Sequence, residues 1–318
     1  MMFNLNIKKT LLVSSKLFLF FLCCWLIFKN ITSEKIFYNV FSKLDIKYIL
    51  IILLLTTLSI FIQIFIQFNT FLKIKKIKIN FYYFSKIFLN SQLASIILPH
   101  SGLVYNAYKL NKLGLSYKDF LNIKVFLAWF YLSFLTFLYS FEILIFGYEI
   151  INNFIFPIFI FGILISSSLI IIPLFFKKFI KFNFKNNLIT KIYDIIKNVI
   201  LSPLNYNKGN FFNFLIRYGL IIHIVHFLII YLLFLSLNIN QSFSLVILFF
   251  VINSFLDQVP ITPKNLAISE LIFGLLSTEV GLGFEFGVAI KLCLRIFFFT
   301  NLIIMSLVYN VVKYDEIK

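Results

Sequence analysis

Acidic residues are scarce in this chain. Only 12 of its 318 residues are Asp or Glu, against 29 Lys and Arg, and charged residues make up 13% while hydrophobic ones make up 61%. Ordinary soluble domains carry about 25% charged residues, so a soluble fold is excluded. Histidine and cysteine number three each. Cys23 and Cys24 are adjacent in one apolar run and Cys293 lies in another. That spacing gives neither a disulfide framework nor a metal-ligand set, so no metal or other cofactor is expected. Arginine is nearly absent, present only as Arg217 and Arg295.

What remains is long and apolar. Several runs approach the roughly 20 residues that cross a bilayer, and their lack of strict alternation argues against a membrane barrel. The fold class is therefore all-α, a polytopic helical membrane protein. The net charge of +17 does not point to nucleic acid, because the lysines cluster in the links between apolar runs, as the positive-inside rule expects. The spans read as about 11–28, 48–68, 125–148, 154–176, 211–237, 243–256, 263–278 and 286–312, in one integral membrane domain covering 1–318. The first is expected to be a retained span, since no small-residue cleavage site follows it. Basic links at 73–78, 109–124 and 177–185 place those segments inside, and both termini with them. Such a protein belongs in the cytoplasmic membrane of a bacterium or archaeon.

Two segments interrupt the apolar pattern. A run at about 87–102 is too short to span, ends in Leu98-Pro-His-Ser-Gly102, and has basic flanks on both sides, which reads as a re-entrant segment. The second, Asp257–Glu270, carries Pro260, Thr262, Pro263 and two carboxylates between apolar runs. Irregular backbone at membrane depth is tolerated only where protein or a water-filled cavity surrounds it. Either 243–278 makes two short crossings or it forms one re-entrant pair, giving seven or eight spans. Both breaks read apolar, Pro, any residue, hydroxyl, helix-breaker, half a chain apart. That pattern fits an inverted repeat with a site near the midplane.

The second break also carries the chemistry. Thr262 followed by Pro263 predicts an N-cap and first helical position, whose free amides favour a phosphate or carboxylate. Lys264 adds a full charge. Glu270 then falls about two turns into an apolar helix, where a carboxylate needs a partner. Lys291 and Arg295 are four apart and share a helix face. Arg295 lies about 14 Å into the last span, so the expected pair is Glu270 with Arg295. His100 and Ser101 are the candidates in the first break. Gln63 and Gln67, and His223 and His226, read as interhelical packing groups.

At these residues the chain resembles the lysylphosphatidylglycerol synthase transmembrane-region family, a flippase-like membrane domain. The likeness is carried by Leu98-Pro-His-Ser-Gly102 through Asn106-Ala-Tyr108 and Leu113-Gly-Leu115, by Pro260-Ile-Thr-Pro263 with Glu270, and by Arg295 on the last helix. Leu103 stands where the family has Glu, Asn106 where it has Arg, and Lys264, Asn265 and Ala267 replace glycines. The acid–arginine motif at the start of the third span is missing. No aminoacyl-transfer domain is expected, so the chain should not make lysyl lipid. The resemblance implies movement of an anionic lipid or lipid-linked saccharide, without catalysis. A membrane glycosyl transferase using a polyprenyl-phosphate donor is the alternative, with Glu279 and Glu285 as its external acids. An accessory subunit of an envelope assembly is a third reading. No protein partner is identified by the residues.

Overall fold

A computed structural model describes residues 42–146 and 209–311 apart from 76–78, 98–99, 238–241 and 259–262, together with 21–27, 29–30 and a few residues between 160 and 197. Pro99, Pro260 and Thr262 lie outside the described residues, as does most of the first and fourth expected spans. The described residues are helical or in turns, with no strand among them.

Eight helices carry the architecture: α1 (Ile46–Lys75), α2 (Phe81–Ile97), α3 (Ser101–Lys112), α4 (Tyr117–Phe146), α5 (Gly209–Ser236), α6 (Phe243–Gln258), α7 (Ile268–Glu279) and α8 (Phe284–Val311). A 3-10 turn, Pro263–Asn265, lies between α6 and α7. Four of the helices, α1, α4, α5 and α8, are long and apolar enough to cross a membrane. The 16 residues of α6 and the 12 of α7 reach only about 24 and 18 Å at 1.5 Å per residue, short of a core about 30 Å thick.

The helices continue further than apolar runs alone indicate. α1 runs to Lys75, beyond the expected end at Phe68, and α4 starts at Tyr117 rather than Val125. Lysines at helix ends reach past apolar neighbours to polar surroundings, so a basic residue does not stop a helix. Lys75 does this by pairing with Asp119 of α4 at 2.7 Å. The short run expected at 87–102 begins earlier, because Phe81–Phe84 form the first turn of α2.

Helix lengths repeat along the chain. α1 to α4 have 30, 17, 12 and 30 residues, and α5 to α8 have 28, 16, 12 and 28. The packing repeats too. α1 lies against α5, α2 crosses to α8, and α6 crosses to α4. Buried positions keep register: Phe84, Ser85, Ile87, Phe88 and Leu89 on α2 match Val246, Ile247, Phe249, Phe250 and Val251 on α6, each counted from its helix start.

The core between these helices is aromatic. Phe71 stacks on Phe120 with ring centroids 5.9 Å apart, tying α1 to α4. Phe234 and Phe273 both meet Phe249, at 5.3 Å each, which joins α5, α6 and α7. Edge-to-face and offset ring pairs of this kind add about 0.5–1.5 kcal/mol beyond area burial.

Candidate functional site

The two breaks meet at one cavity of about 580 Å³. The repeats supply matching positions to it from two pairs of helices. Ser91, Gln92 and Ser95 of α2 line it, as do Asn253, Ser254 and Asp257 of α6, the eleventh, twelfth and fifteenth residues of their helices. Ser59, Gln63 and Gln67 of α1 line it opposite Ile222, His226 and Ile230 of α5, again in matching register. A helix exposes one face to a cavity, so equal register means that both halves present the same face.

The second break is built differently from its sequence expectation. α7 starts at Ile268, not Pro263. Between them Lys264, Asn265 and Ala267 all have left-handed backbone, with φ of 48°, 54° and 68°. Non-glycine residues there are strained, and these are positions where the resemblance leads one to expect glycine. The turn is held by side chains. Asn265 donates its side-chain amide to the Leu256 carbonyl, and the Ser269 hydroxyl donates to the Asn265 carbonyl at 2.8 Å. Glu270 therefore sits in the first turn of α7 rather than two turns in. A carboxylate is favoured at that end of a helix.

Arg295 closes the turn. Its Nη1 donates to the Lys264 carbonyl at 3.1 Å and its Nη2 to the Asn265 carbonyl at 3.4 Å and the Ser269 hydroxyl at 2.8 Å. Its Nε lies 2.7 Å from Glu270 Oε1, both side chains being under 10% exposed. The Nε–H is not aimed along that line, since both atoms lack a formal hydrogen bond, so the attraction there is Coulombic. The pair thus braces the broken segment, and Arg295 also reaches the cavity wall.

The lysines are less satisfied. Lys264 donates to Gln92 Oε1 on α2 at 2.5 Å, linking the second break to the first repeat, and lies over the Phe298 ring at 5.6 Å. Lys291 donates to Asn253 Oδ1 at 2.5 Å, with the half-exposed Asp257 3.7 Å away. Lys124 donates to Gln67 Oε1 at 2.5 Å. All three lysines and Arg295 line the cavity, where Asp257 is the one carboxylate among the described lining residues.

The first break is held by backbone contacts. His100 has a left-handed φ of 64°, is exposed, and lines the cavity. It occupies the residue before α3, as Ala267 does before α7. Ser101 donates its hydroxyl to the Ala94 carbonyl at 2.5 Å, so it fastens α3 to α2 and does not appear in the lining. Gly102 is needed for that approach, because a Cβ there would stand 1.9 Å from the Ser91 carbonyl oxygen. Counted from the helix starts, Leu103 and Ala128 stand where the second repeat has Glu270 and Arg295. The first repeat therefore has no equivalent ion pair at those positions.

The histidines and glutamines do both jobs. His226 Nε2 meets the Ser59 hydroxyl at 2.6 Å, and His223 Nε2 meets Glu142 Oε1 at 2.5 Å. These contacts join α5 to α1 and α4, and Ser59, His223 and His226 also line the cavity. No cluster of three metal-ligating side chains occurs among the described residues. Glu285 is buried at the start of α8 while Glu279 is exposed, and neither lines the cavity. Sequence reasoning missed Gln92, Lys124 and Asn253. Their register against the matching helix of the other repeat, α6 for Gln92, α8 for Lys124 and α2 for Asn253, is the signal that finds them.

The family model for the lysylphosphatidylglycerol synthase TM region matches residues 11–305. The chain belongs to that family. Its membership and its four long apolar helices make it an integral membrane protein with a role tied to membrane lipid. No curated protein and no solved structure matches it. Within the matched region Glu270 and Arg295 meet at the second break, while Leu103 and Ala128 stand at the equivalent positions of the first.

Proposed function

We propose that this chain moves an anionic lipid, either a phospholipid or a lipid-linked saccharide, between membrane leaflets without covalent chemistry. The observation that carries the reading is the charge of the cavity. Arg295 is compensated by Glu270, which leaves Lys124, Lys264 and Lys291 against Asp257, the one carboxylate among the described lining residues, and Lys264 is held only by an amide and an aromatic ring among the described contacts. Cations at membrane depth are costly unless paired. An anionic head group supplies the missing charge, and Lys264 and Lys291 are its first contacts. Pro260, Thr262 and Pro263 belong to the same break, and His100 faces the cavity from the other. Ser101 acts as a fastening.

Architecture supports movement as well as binding. α2–α3 and α6–α7 form two short-helix pairs, and the basic links flank the first pair while the links at 238–242 and 280–283 contain no lysine. Under the positive-inside rule the pairs enter from opposite sides, so the halves form an inverted repeat. A site between such halves is reachable in turn from each leaflet. The glycosyl-transferase reading loses support because neither Glu279 nor Glu285 lines this cavity.

The test is lipid movement in proteoliposomes, with fluorescent phosphatidylglycerol and phosphatidylcholine followed by dithionite quenching. The wild type is expected to move phosphatidylglycerol faster. Replacing both Lys264 and Lys291 with Gln should remove that preference and slow the anionic lipid by about tenfold or more, the equivalent of one charge-assisted contact. Equal rates for wild type and K264Q/K291Q overturn the reading.

A further inference from the structure

The internal repeat singles out a cation that the second break does not use. Lys124 is the eighth residue of α4, as Lys291 is of α8, and both sit in the same local sequence, Ile123-Lys124-x-x-Leu127 and Ile290-Lys291-x-x-Leu294. Ile123 and Ile290 are buried alike, as are Phe126 and Cys293 and then Phe130 and Phe297. Both ammonium groups reach a side-chain amide oxygen at 2.5 Å, Gln67 for Lys124 and Asn253 for Lys291. Both line the one cavity.

They differ in charge compensation. Lys291 has Asp257 at 3.7 Å. Among the described residues no carboxylate forms an ion pair with Lys124, whose remaining company is the faces of Phe120 and Phe71 at 5.6 and 5.9 Å. Its apolar surroundings disfavour an uncompensated charge. A lysine that serves only to mark the inner face would extend toward the helix end, where Lys75 and Asp119 already pair. Lys124 turns instead across to α1 and into the cavity.

We infer that Lys124, held in place by Gln67, is a second anion station of this cavity, taking the phosphate of the lipid head group on the opposite membrane side from Lys264 and Lys291. The inference rests on the lipid-transport reading and on the opposed directions of the two halves. Seven residues separate each lysine from its helix start, about 10 Å along the axis from opposite ends. α4 and α8 have 30 and 28 residues, about 45 and 42 Å, and so project beyond a core about 30 Å thick, which keeps the two lysines well apart along the membrane normal. A head group crossing the cavity then meets fixed positive charge on both legs of its path. The lipid's own phosphate is the shared chemistry, whichever group it carries beyond.

The experiment uses the full chain in phosphatidylcholine nanodiscs, with sn-glycerol 1-phosphate as the soluble probe and isothermal titration as the readout. Wild type is expected to bind two molecules per chain. K124Q should bind one, K264Q/K291Q should bind the other, and the triple variant none. K124R restores the charge and should restore two, which separates lost charge from lost folding. Lipid movement by K124Q is expected to fall about tenfold for phosphatidylglycerol. Two molecules bound by K124Q, or one by the wild type that K264Q/K291Q abolishes, overturns the station. Two bound molecules without any lipid movement overturns the transport reading and leaves the station standing.

Discussion

Glu270 and Arg295 illustrate how much a single residue's scarcity tells. In a chain with 12 acids and two arginines, an acid and an arginine in apolar runs have few partners, and their pairing was legible from the sequence. Their 2.7 Å contact agrees with it. The rest of Arg295's work was not legible, because its bonds to the Lys264 and Asn265 carbonyls depend on backbone that no side-chain pattern announces. Removing one member of a buried pair leaves the other charge uncompensated, at about 3–5 kcal/mol. Glu270→Ala and Arg295→Ala should each lower thermal stability in detergent by that order. The double variant should be less destabilised than the sum, by about 0.5–3 kcal/mol, as contacting residues are. Strict additivity in a thermal-unfolding cycle would count against the bracing role.

At the level of the element, the break between α6 and α7 shows where helix signals mislead. Thr262-Pro263 resembles a helix start, yet α7 begins at Ile268 after three left-handed residues. Propensity rules assume a free helix end, whereas this one is fixed by Arg295 of α8 together with Asn265 and Ser269 of the break itself. The left-handed residues are not glycines, and only Asn265 is of a type that tolerates such backbone, so the signal for the turn is weak. Left-handed backbone costs a residue with a Cβ about 1–2 kcal/mol relative to glycine. Ala267→Gly should therefore raise the melting temperature of the purified protein, by about 1 kcal/mol of stability. Gly102→Ala should do the opposite, because its Cβ meets the Ser91 carbonyl oxygen at 1.9 Å and overpacking costs about 1–3 kcal/mol. Equal melting points for the two variants would show that the turn and the α2–α3 approach are not set as described.

For the whole molecule, the sequence exposed the membrane class and the two breaks but only a five-residue likeness between the halves. The full correspondence lies in register, where Gln63 answers His226 and Gln92 answers Ser254; unlike residue types hide it from a letter-by-letter comparison. Register carries a topological consequence. If the halves are inverted, the α3–α4 link opens toward the inner side and the α7–α8 link toward the outer. A chain with Cys23, Cys24 and Cys293 replaced, carrying either Ser116→Cys or Thr278→Cys, tests this directly with a membrane-impermeant maleimide. Both replaced side chains are exposed, so each thiol should react if its side is reached. In intact cells Thr278→Cys should label and Ser116→Cys should not; in inverted vesicles the order should reverse. Labelling of both from one side would mean that the repeated helices run in parallel. The cavity would then lack the opposed entrances that give Lys124 and Lys264 separate leaflets to serve.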